Sequence, residues 1–142
     1  MAAEDCIFCA IVAGEHDAEV VLADEHTVGF LDHRPLFAGH VLLVPRPHFV
    51  TIEDLPSALV EPLFANARTL AGAVRRAMDA QGTFMAVNNV VSQSVPHLHV
   101  HVVPRRRKDG LRGFFWPRNP YEGAEARRAA AEAIRAELRA SG

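Results

Sequence analysis

His97-Leu98-His99-Val100-His101-Val102-Val103-Pro104 is the stretch whose reading decides the fold. Three histidines alternate with aliphatic residues, and side chains in a strand alternate faces with period two. A strand therefore gathers His97, His99 and His101 on one face and turns Leu98, Val100 and Val102 to the other. A helix would scatter the same residues around its cylinder, and the β-branched valines also favour the pleat. At about 3.3 Å of rise per residue, same-face neighbours stand roughly 6.5–7 Å apart. That is too far for direct ring-to-ring hydrogen bonds and close enough for three rings to converge on one ligand.

Two other readings compete with a reactive site. A histidine that satisfies a nearby carbonyl usually occurs singly, not in strict triple alternation. A three-histidine metal site is the sharper rival, because neutral imidazole is a common zinc ligand. Nitrogens on one flat strand diverge, however, so a metal would take one or two of them and complete its shell elsewhere.

Working outward, Val41-Leu42-Leu43-Val44 ends at Pro45 and suits a strand buried on both faces. Val20-Val21-Leu22 and Thr27–Leu31 read as a strand pair with its turn at 23–26. Thr83–Asn88 and His97–Val103 are the next strands, joined by the polar loop Asn89–Pro96. Leu55, Leu59, Leu63, Ala67, Leu70, Val74 and Met78 recur at helical spacing, predicting one amphipathic helix over 56–80 with Gly82 as its stop. Pro62 falls inside that run, where a lost hydrogen bond costs about 3 kcal/mol, so a kink or a separate first turn is expected. Residues 6–13 suit a short helix or turn. Residues 122–140 read as a C-terminal helix with Ala130, Ile134 and Leu138 on a thin apolar stripe. The pattern is α+β with a mainly antiparallel sheet.

The chain has 142 residues, 49% of them apolar and 23% charged, which is the balance of a folded globular domain. No apolar run reaches the 18 or more residues of a membrane span, and no basic segment leads an apolar one at the N-terminus. No membrane association and a cytoplasmic location are the expectations. In that compartment Cys6-x-x-Cys9 argues for metal or redox chemistry over a structural disulfide. A net charge of −2 gives no general attraction to nucleic acid.

The chain also resembles the histidine-triad (HIT) superfamily of nucleotidyl hydrolases and transferases, whose signature is three histidines alternating with apolar residues. The resemblance runs from Cys6-Ile7-Phe8-Cys9 through Phe30-Leu31-Asp32, Pro35, Gly39–Pro45, His48 and Asn88, to Gln93-Ser94-Val95-Pro96 and the triad. It implies one HIT domain over 1–142, with a core at about 6–104 and an extension with a helix at 105–142. It also implies a HIT-like fold of about five strands, a long central helix and a C-terminal helix, with two protomers forming one extended sheet as a homodimer.

By the same resemblance His99 attacks the α-phosphorus of a purine nucleotide. An unprotonated imidazole is a competent nucleophile near neutral pH. His101 donates to phosphate oxygens, His97 and His40 complete and orient the triad, and Ser94 serves the leaving group. Gln93 and Asn88 contact the phosphate region, and Asp32 binds the ribose hydroxyls. Without the family, Asp32 reads equally as a loop residue making its own turn. Ile7, Phe8, Ile11 and Leu31 match an apolar slot for the base, which predicts weak discrimination between adenine and guanine. His33 departs from the pattern, since an aliphatic residue usually follows the aspartate. Cys6, Cys9, His48 and His97 match the structural zinc set of some members, with no cofactor required for the chemistry.

The run Arg105-Arg106-Arg107-Lys108 reads either as a solvated loop or as a handhold for distal phosphates, and Gly113–Arg118 carries an aromatic cluster. The function implied is cleavage of a nucleoside monophosphate from a phosphoramidate or a dinucleoside polyphosphate. Alternatives are a diadenosine polyphosphate phosphorylase or transferase, a non-catalytic purine-nucleotide-binding regulatory protein, and a zinc hydrolase using the triad as ligands. The complete triad argues against the galactose-phosphate type of transferase.

Overall fold

The computed structural model describes residues 5–112 and 118–141. The chain forms two compact units, Met1–Asp109 and Gly110–Gly142. The first holds the short helix α1 (Ile7–Val12), strands β1 (Val20–Ala23), β2 (Thr27–Leu31) and β3 (Val41–Pro45), a 3-10 turn at Ile52–Asp54, helix α2 (Ser57–Ala77), and strands β4 (Gly82–Ala86) and β5 (Val100–Arg105). The five strands make one antiparallel sheet in the order β1-β2-β3-β5-β4, as the α+β reading requires.

Side-chain alternation divides β3 between two cores. Val41 and Leu43 join Leu98, Val100 and Val102 under the α2 stripe of Leu63, Ala67, Leu70 and Val74. Leu42 and Val44 face the other way and pack with Val28 and Phe30 against Phe8 and Ile11 of α1. One face of the sheet is thus covered by a helix of 21 residues and the other by a helix of 6. The second cover is too short to hide the face, and that difference leaves room for a site.

The β1–β2 turn is fixed by Asp24, whose Oδ1 accepts the N–H groups of His26 and Thr27 at 2.9 and 2.8 Å. Asn66 on α2 donates to Asp24 Oδ2 at 2.6 Å and to Thr27 Oγ1 at 2.7 Å, tying the hairpin to the helix. That bond from Asn66, above all, holds the Asp24 carboxyl down at about 2.

Three of the boundaries that differ from the sequence reading have a visible cause. Helix α2 runs through Pro62 without a break, and the separate turn lies earlier, at 52–54. The helix stops at Asp79 and not at Gly82. Asp79 is left-handed at φ 51°, the Ala80 N–H reaches the Arg75 carbonyl at 2.8 Å, and the Asp79 N–H reaches the Arg76 carbonyl at 3.3 Å, which closes a Schellman motif. Strand β5 begins at Val100 and not at His97, because Leu98 donates its N–H to the Phe49 carbonyl at 2.6 Å, outside the strand ladder.

In the second unit, α3 (Ala124–Ser141) forms as expected, with Ile134 and Leu138 exposed. The aromatic run at 113–117 lies outside the described residues. Among the described residues no helix is long and apolar enough to cross a membrane.

Candidate functional site

A cleft of about 790 Å³ opens on the sheet face that α1 leaves partly uncovered. Its walls carry Ile7, Phe8 and Ile11 from α1, Phe30, Leu31 and Asp32 from the end of β2, Leu42 from β3, Ser94 and Val95 from the loop before the triad, and His99 and His101. The Phe8 ring meets Phe30 and His99 edge-on, with centroids 5.3 and 5.0 Å apart. Pairing places His101 opposite Leu42 on β3 and Ala86 on β4, so the reactive face lies near the middle of the sheet.

Hydrogen bonds assign the protons of the imidazoles. His99 Nδ1 lies 2.7 Å from the His97 carbonyl oxygen, which can only accept. Nδ1 therefore carries the hydrogen, and Nε2 is left with a free lone pair. His40 works in the opposite sense. Its Nδ1 accepts the Leu36 N–H at 3.1 Å, so its hydrogen sits on Nε2, which donates to His101 Nδ1 at 3.0 Å. His101 then keeps its own hydrogen on Nε2. The cleft thus holds one lone pair on His99 and one N–H donor on His101, with ring centroids 4.9 Å apart.

Burial disfavours charge on these rings. It is the leading cause that lowers His99 and His40 below the usual imidazole value, and it takes His101, with His99 and His40 beside it, down to about 4. Neutral rings at physiological pH are what a nucleophile and its tautomer-fixed partner require.

Asp32 lines the cleft while making the local turn as well. Its Oδ1 accepts the Arg34 N–H at 2.9 Å, and its Oδ2 lies 3.8 Å from His40 Nδ1. His33 also lines the cleft, with a largely exposed ring 4.0 Å from Asp32. His40, Asn88, Gln93 and His97 are not on its walls. Gln93 instead clasps its own loop, donating to the Val50 carbonyl at 2.6 Å and accepting the Val90 N–H at 3.0 Å.

His16, Asp17, Ala18 and Glu19 line the cleft without any signal in the sequence. They belong to a polar connector that reads as turn, and the bond from the Leu31 N–H to the Glu19 carbonyl, at 3.0 Å, together with the pairing of Val20 with Phe30 brings it beside β2.

The arginine run is engaged locally. Arg105 Nε and Nη2 donate to Asp109 at 2.6 and 3.0 Å, Arg106 reaches the Met78 carbonyl, and the Arg107 N–H meets Gln81. This is a structural loop at the far end of β5.

The three triad histidines do not converge on one ligand. The fully buried His97 turns its Nδ1 to within 3.4 Å of both Cys6 Sγ and Cys9 Sγ, and Cys9 Sγ lies 3.2 Å from His48 Nδ1. The four ligand atoms all fall within 4.8 Å of one another. Donors at about 2.3 Å (sulfur) and 2.0–2.1 Å (nitrogen) from a tetrahedral ion stand roughly 3.5 Å apart, so the spacing fits such an ion. His97 Nε2 donates to the Pro45 carbonyl at 3.0 Å, which fixes the lone pair of Nδ1 on the sulfurs. A backbone carbonyl behind the far nitrogen is the usual support of a metal-bound imidazole. The buried His48 Nε2 has no partner among the described residues. Burial, with the Cys6 thiol beside it, pushes the Cys9 thiol up to about 11.

The sequence profile of the HIT domain matches residues 13–108. The adenylylsulfatase HINT3 of Arabidopsis thaliana is 31% identical over 109 residues, which cover 75% of this chain and 55% of that protein. The adenosine 5′-monophosphoramidase HNT1 of Saccharomyces cerevisiae is 30% identical over 107 residues, covering 75% and 66%. A Zn-bound histidine triad family protein from Mycobacterium smegmatis superposes with a TM-score of 0.73 at 36% identity, over 95% of this chain and 99% of the other. With its five-stranded antiparallel sheet and its profile match over most of its length, the chain belongs to the HIT family.

Proposed function

We propose that the protein is a nucleotidyl hydrolase that releases a purine nucleoside monophosphate through an intermediate covalently held on His99. The observation that carries this reading is the 2.7 Å bond from His99 Nδ1 to the His97 carbonyl, which leaves Nε2 as a free nucleophile in the cleft. Two relatives with hydrolase names, one acting on an adenylyl sulfate and one on a phosphoramidate, support the same class of reaction.

The Nε2 lone pair of His99 attacks the α-phosphorus, forming a phosphorus–nitrogen bond as the bond to the leaving group breaks. The leaving group takes the bonding electrons, and the Ser94 hydroxyl donates a hydrogen bond to it. The Nε2–H of His101 donates to the phosphate oxygens as charge builds there. Water then attacks the same phosphorus, the phosphorus–nitrogen bond breaks, and its electrons return to Nε2. The proton lost by the water balances the one gained by the leaving group. Asp32 accepts hydrogen bonds from the ribose hydroxyls, and Ile7, Phe8, Ile11 and Leu31 hold the base. Asn88 serves the phosphate, and Gln93 serves it by holding the loop that presents Ser94.

A phosphoramidate with a small leaving group suits the site better than a dinucleoside polyphosphate, because Arg105 and Arg106, the handhold offered for distal phosphates, bond to Asp109 and to the Met78 carbonyl and do not line the cleft. Cys6, Cys9, His48 and His97 would hold zinc, which supplies a structural cross-link and no part of the reaction. A homodimer belongs to this reading. The regular edge of β4 suits strand-to-strand joining better than that of β1, whose register is broken between Val20 and Leu22.

The test is a product assay on wild type and His99→Ala with adenosine 5′-phosphoramidate and with diadenosine tri- and tetraphosphate, with and without phosphate. Release of AMP by wild type alone supports the mechanism. Phosphate dependence would mark a phosphorylase, and survival of every substrate while AMP still binds would mark a nucleotide-binding regulator.

A further inference from the structure

We infer that the connector at residues 16–19 reads the base: it closes one end of the cleft with hydrogen-bond acceptors, and these select guanine nucleotides over adenine nucleotides. The inference rests on the reading of the cleft as a nucleotide site given above. Strand order gives the cleft its direction. His101 stands on β5 with His99 just before it, Leu42 follows on β3, Phe30 lies on β2 with Asp32 just beyond it, and the connector leads into the edge strand β1. Neighbouring strands lie about 4.8 Å apart, so the connector is the part of the wall most remote from the reacting histidines. A nucleotide with its phosphorus at His99 lays its ribose by Asp32 and its base towards the connector. Charge agrees with that orientation. The β5 end offers a phosphate the N–H of His101, whereas Asp17 and Glu19 at the other end repel it.

The connector is held at both ends. The Glu15 and His16 N–H groups reach the Ala10 carbonyl at 2.8 and 3.3 Å, Ala18 packs on the core around Phe8 and Ile11, and the Glu19 carbonyl accepts the Leu31 N–H at 3.0 Å. Its side chains are acceptors. His16 Nδ1 lies 3.0 Å from the Asp17 carbonyl oxygen, so Nδ1 carries the hydrogen and Nε2 keeps a lone pair. The carboxylates of Asp17 and Glu19 accept only. Guanine brings two adjacent donors to such a wall, N1–H and the 2-amino group, which one carboxylate takes as a pair. Adenine brings its 6-amino group beside the lone pair of N1, which opposes the second oxygen. The apolar slot of Ile7, Phe8, Ile11 and Leu31 holds either purine, so the choice between them falls to the connector.

The experiment is calorimetric titration of wild type, Asp17→Ala/Glu19→Ala, Asp17→Asn/Glu19→Gln and His99→Ala with GMP, IMP and AMP. Wild type should bind GMP about tenfold more tightly than AMP, the lower part of the range for a paired contact because Asp17 and Glu19 are exposed. IMP, which keeps N1–H and lacks the 2-amino group, should fall between them. The alanine pair should bring GMP and AMP within about twofold by weakening GMP. The amide pair offers a donor beside each acceptor and should narrow the gap by gaining AMP. His99→Ala should keep the wild-type order, since the base is read apart from the reacting atoms. Equal affinities in wild type, or tighter AMP, overturn the inference and leave the nucleotide site standing. A GMP preference that survives the alanine pair overturns the role of the connector. Binding of none of the three overturns the inference together with the nucleotide reading. The order of the three affinities is read on wild type, so a variant that fails to fold leaves that test in force.

Discussion

His40 Nε2 lies 3.0 Å from His101 Nδ1, and through that contact a backbone N–H at Leu36 decides which nitrogen of His101 faces the cleft as a donor. Replacing His101 with alanine should lower kcat about 10²–10³-fold, the usual cost of one donor to developing negative charge. His40→Ala leaves the His101 ring in place but frees its tautomer, so a smaller fall of about tenfold is expected, seen in kcat more than in KM. Steady-state kinetics on both variants check the order. A His40→Ala loss equal to that of His101→Ala would mean that His40 touches substrate itself.

Acid should destabilise the fold through the same rings. His101 titrates at about 4 in the folded chain because burial, then His99 and His40, disfavour its charge, while the unfolded chain takes the proton near the ordinary 6.5. Between those values the unfolded state binds more protons, so stability is full above 6.5 and falls as pH drops towards 4. The melting temperature at pH 5 should lie below that at pH 7.5 by at least the roughly 3–4 °C that 1 kcal/mol represents in a chain of this length. In His101→Gln the fall should be smaller.

Gly39 leads into His40 at φ +93°, and a Cβ there would sit 2.5 Å from Met78 Cγ. Gly39→Ala combines a left-handed backbone with that overlap, and a loss of about 2–3 kcal/mol is expected in urea unfolding. Shortening the neighbour in Gly39→Ala/Met78→Ala should relieve only the overlap. Full recovery in the double variant would show that the backbone strain is negligible.

Val90 is a β-branched residue at φ +69° and is 72% exposed. Left-handed geometry costs such a residue about 1–2 kcal/mol, whereas glycine adopts it freely and loses about 0.5–1 kcal/mol in chain entropy. Val90→Gly should therefore gain up to about 1 kcal/mol in thermal unfolding while the adjoining Gln93 clasp is kept. A destabilised variant would mean that Val90 packs on something in solution.

Periodicity made much of this molecule legible. The alternation at 97–103, the apolar run at 41–44 and the stripe from Leu63 to Val74 each mark a buried face, because burial repeats along a regular element. Periodicity cannot report where an element stops pairing. That depended on distant carbonyls, at Phe49 for the start of β5 and at Arg75 for the end of α2. The cleft wall at His16–Glu19 was hidden for a related reason, since nothing in a polar connector shows which strand it will lie against. Chemical type alone does not tell what holds Arg105 and Gln93. Their partners, Asp109 and the loop residues Val50 and Val90, are ordinary in the sequence and decisive in space.

The two walls of the cleft differ in how they open. β5 is an interior strand, bonded on one side to β3 and on the other to β4, so its amides exchange with solvent only when the sheet itself comes apart. The facing wall is a helix of 6 residues, far below the length that is stable alone, and it makes no strand pair, so Phe8, Ile11 and the Cys6–Cys9 cluster are what hold it. Hydrogen exchange should accordingly be slow at Val100–Val103 and fast across Ile7–Val12. A ligand thus enters beside the wall that yields first, while the reacting side chains keep their places on the slowest part of the molecule.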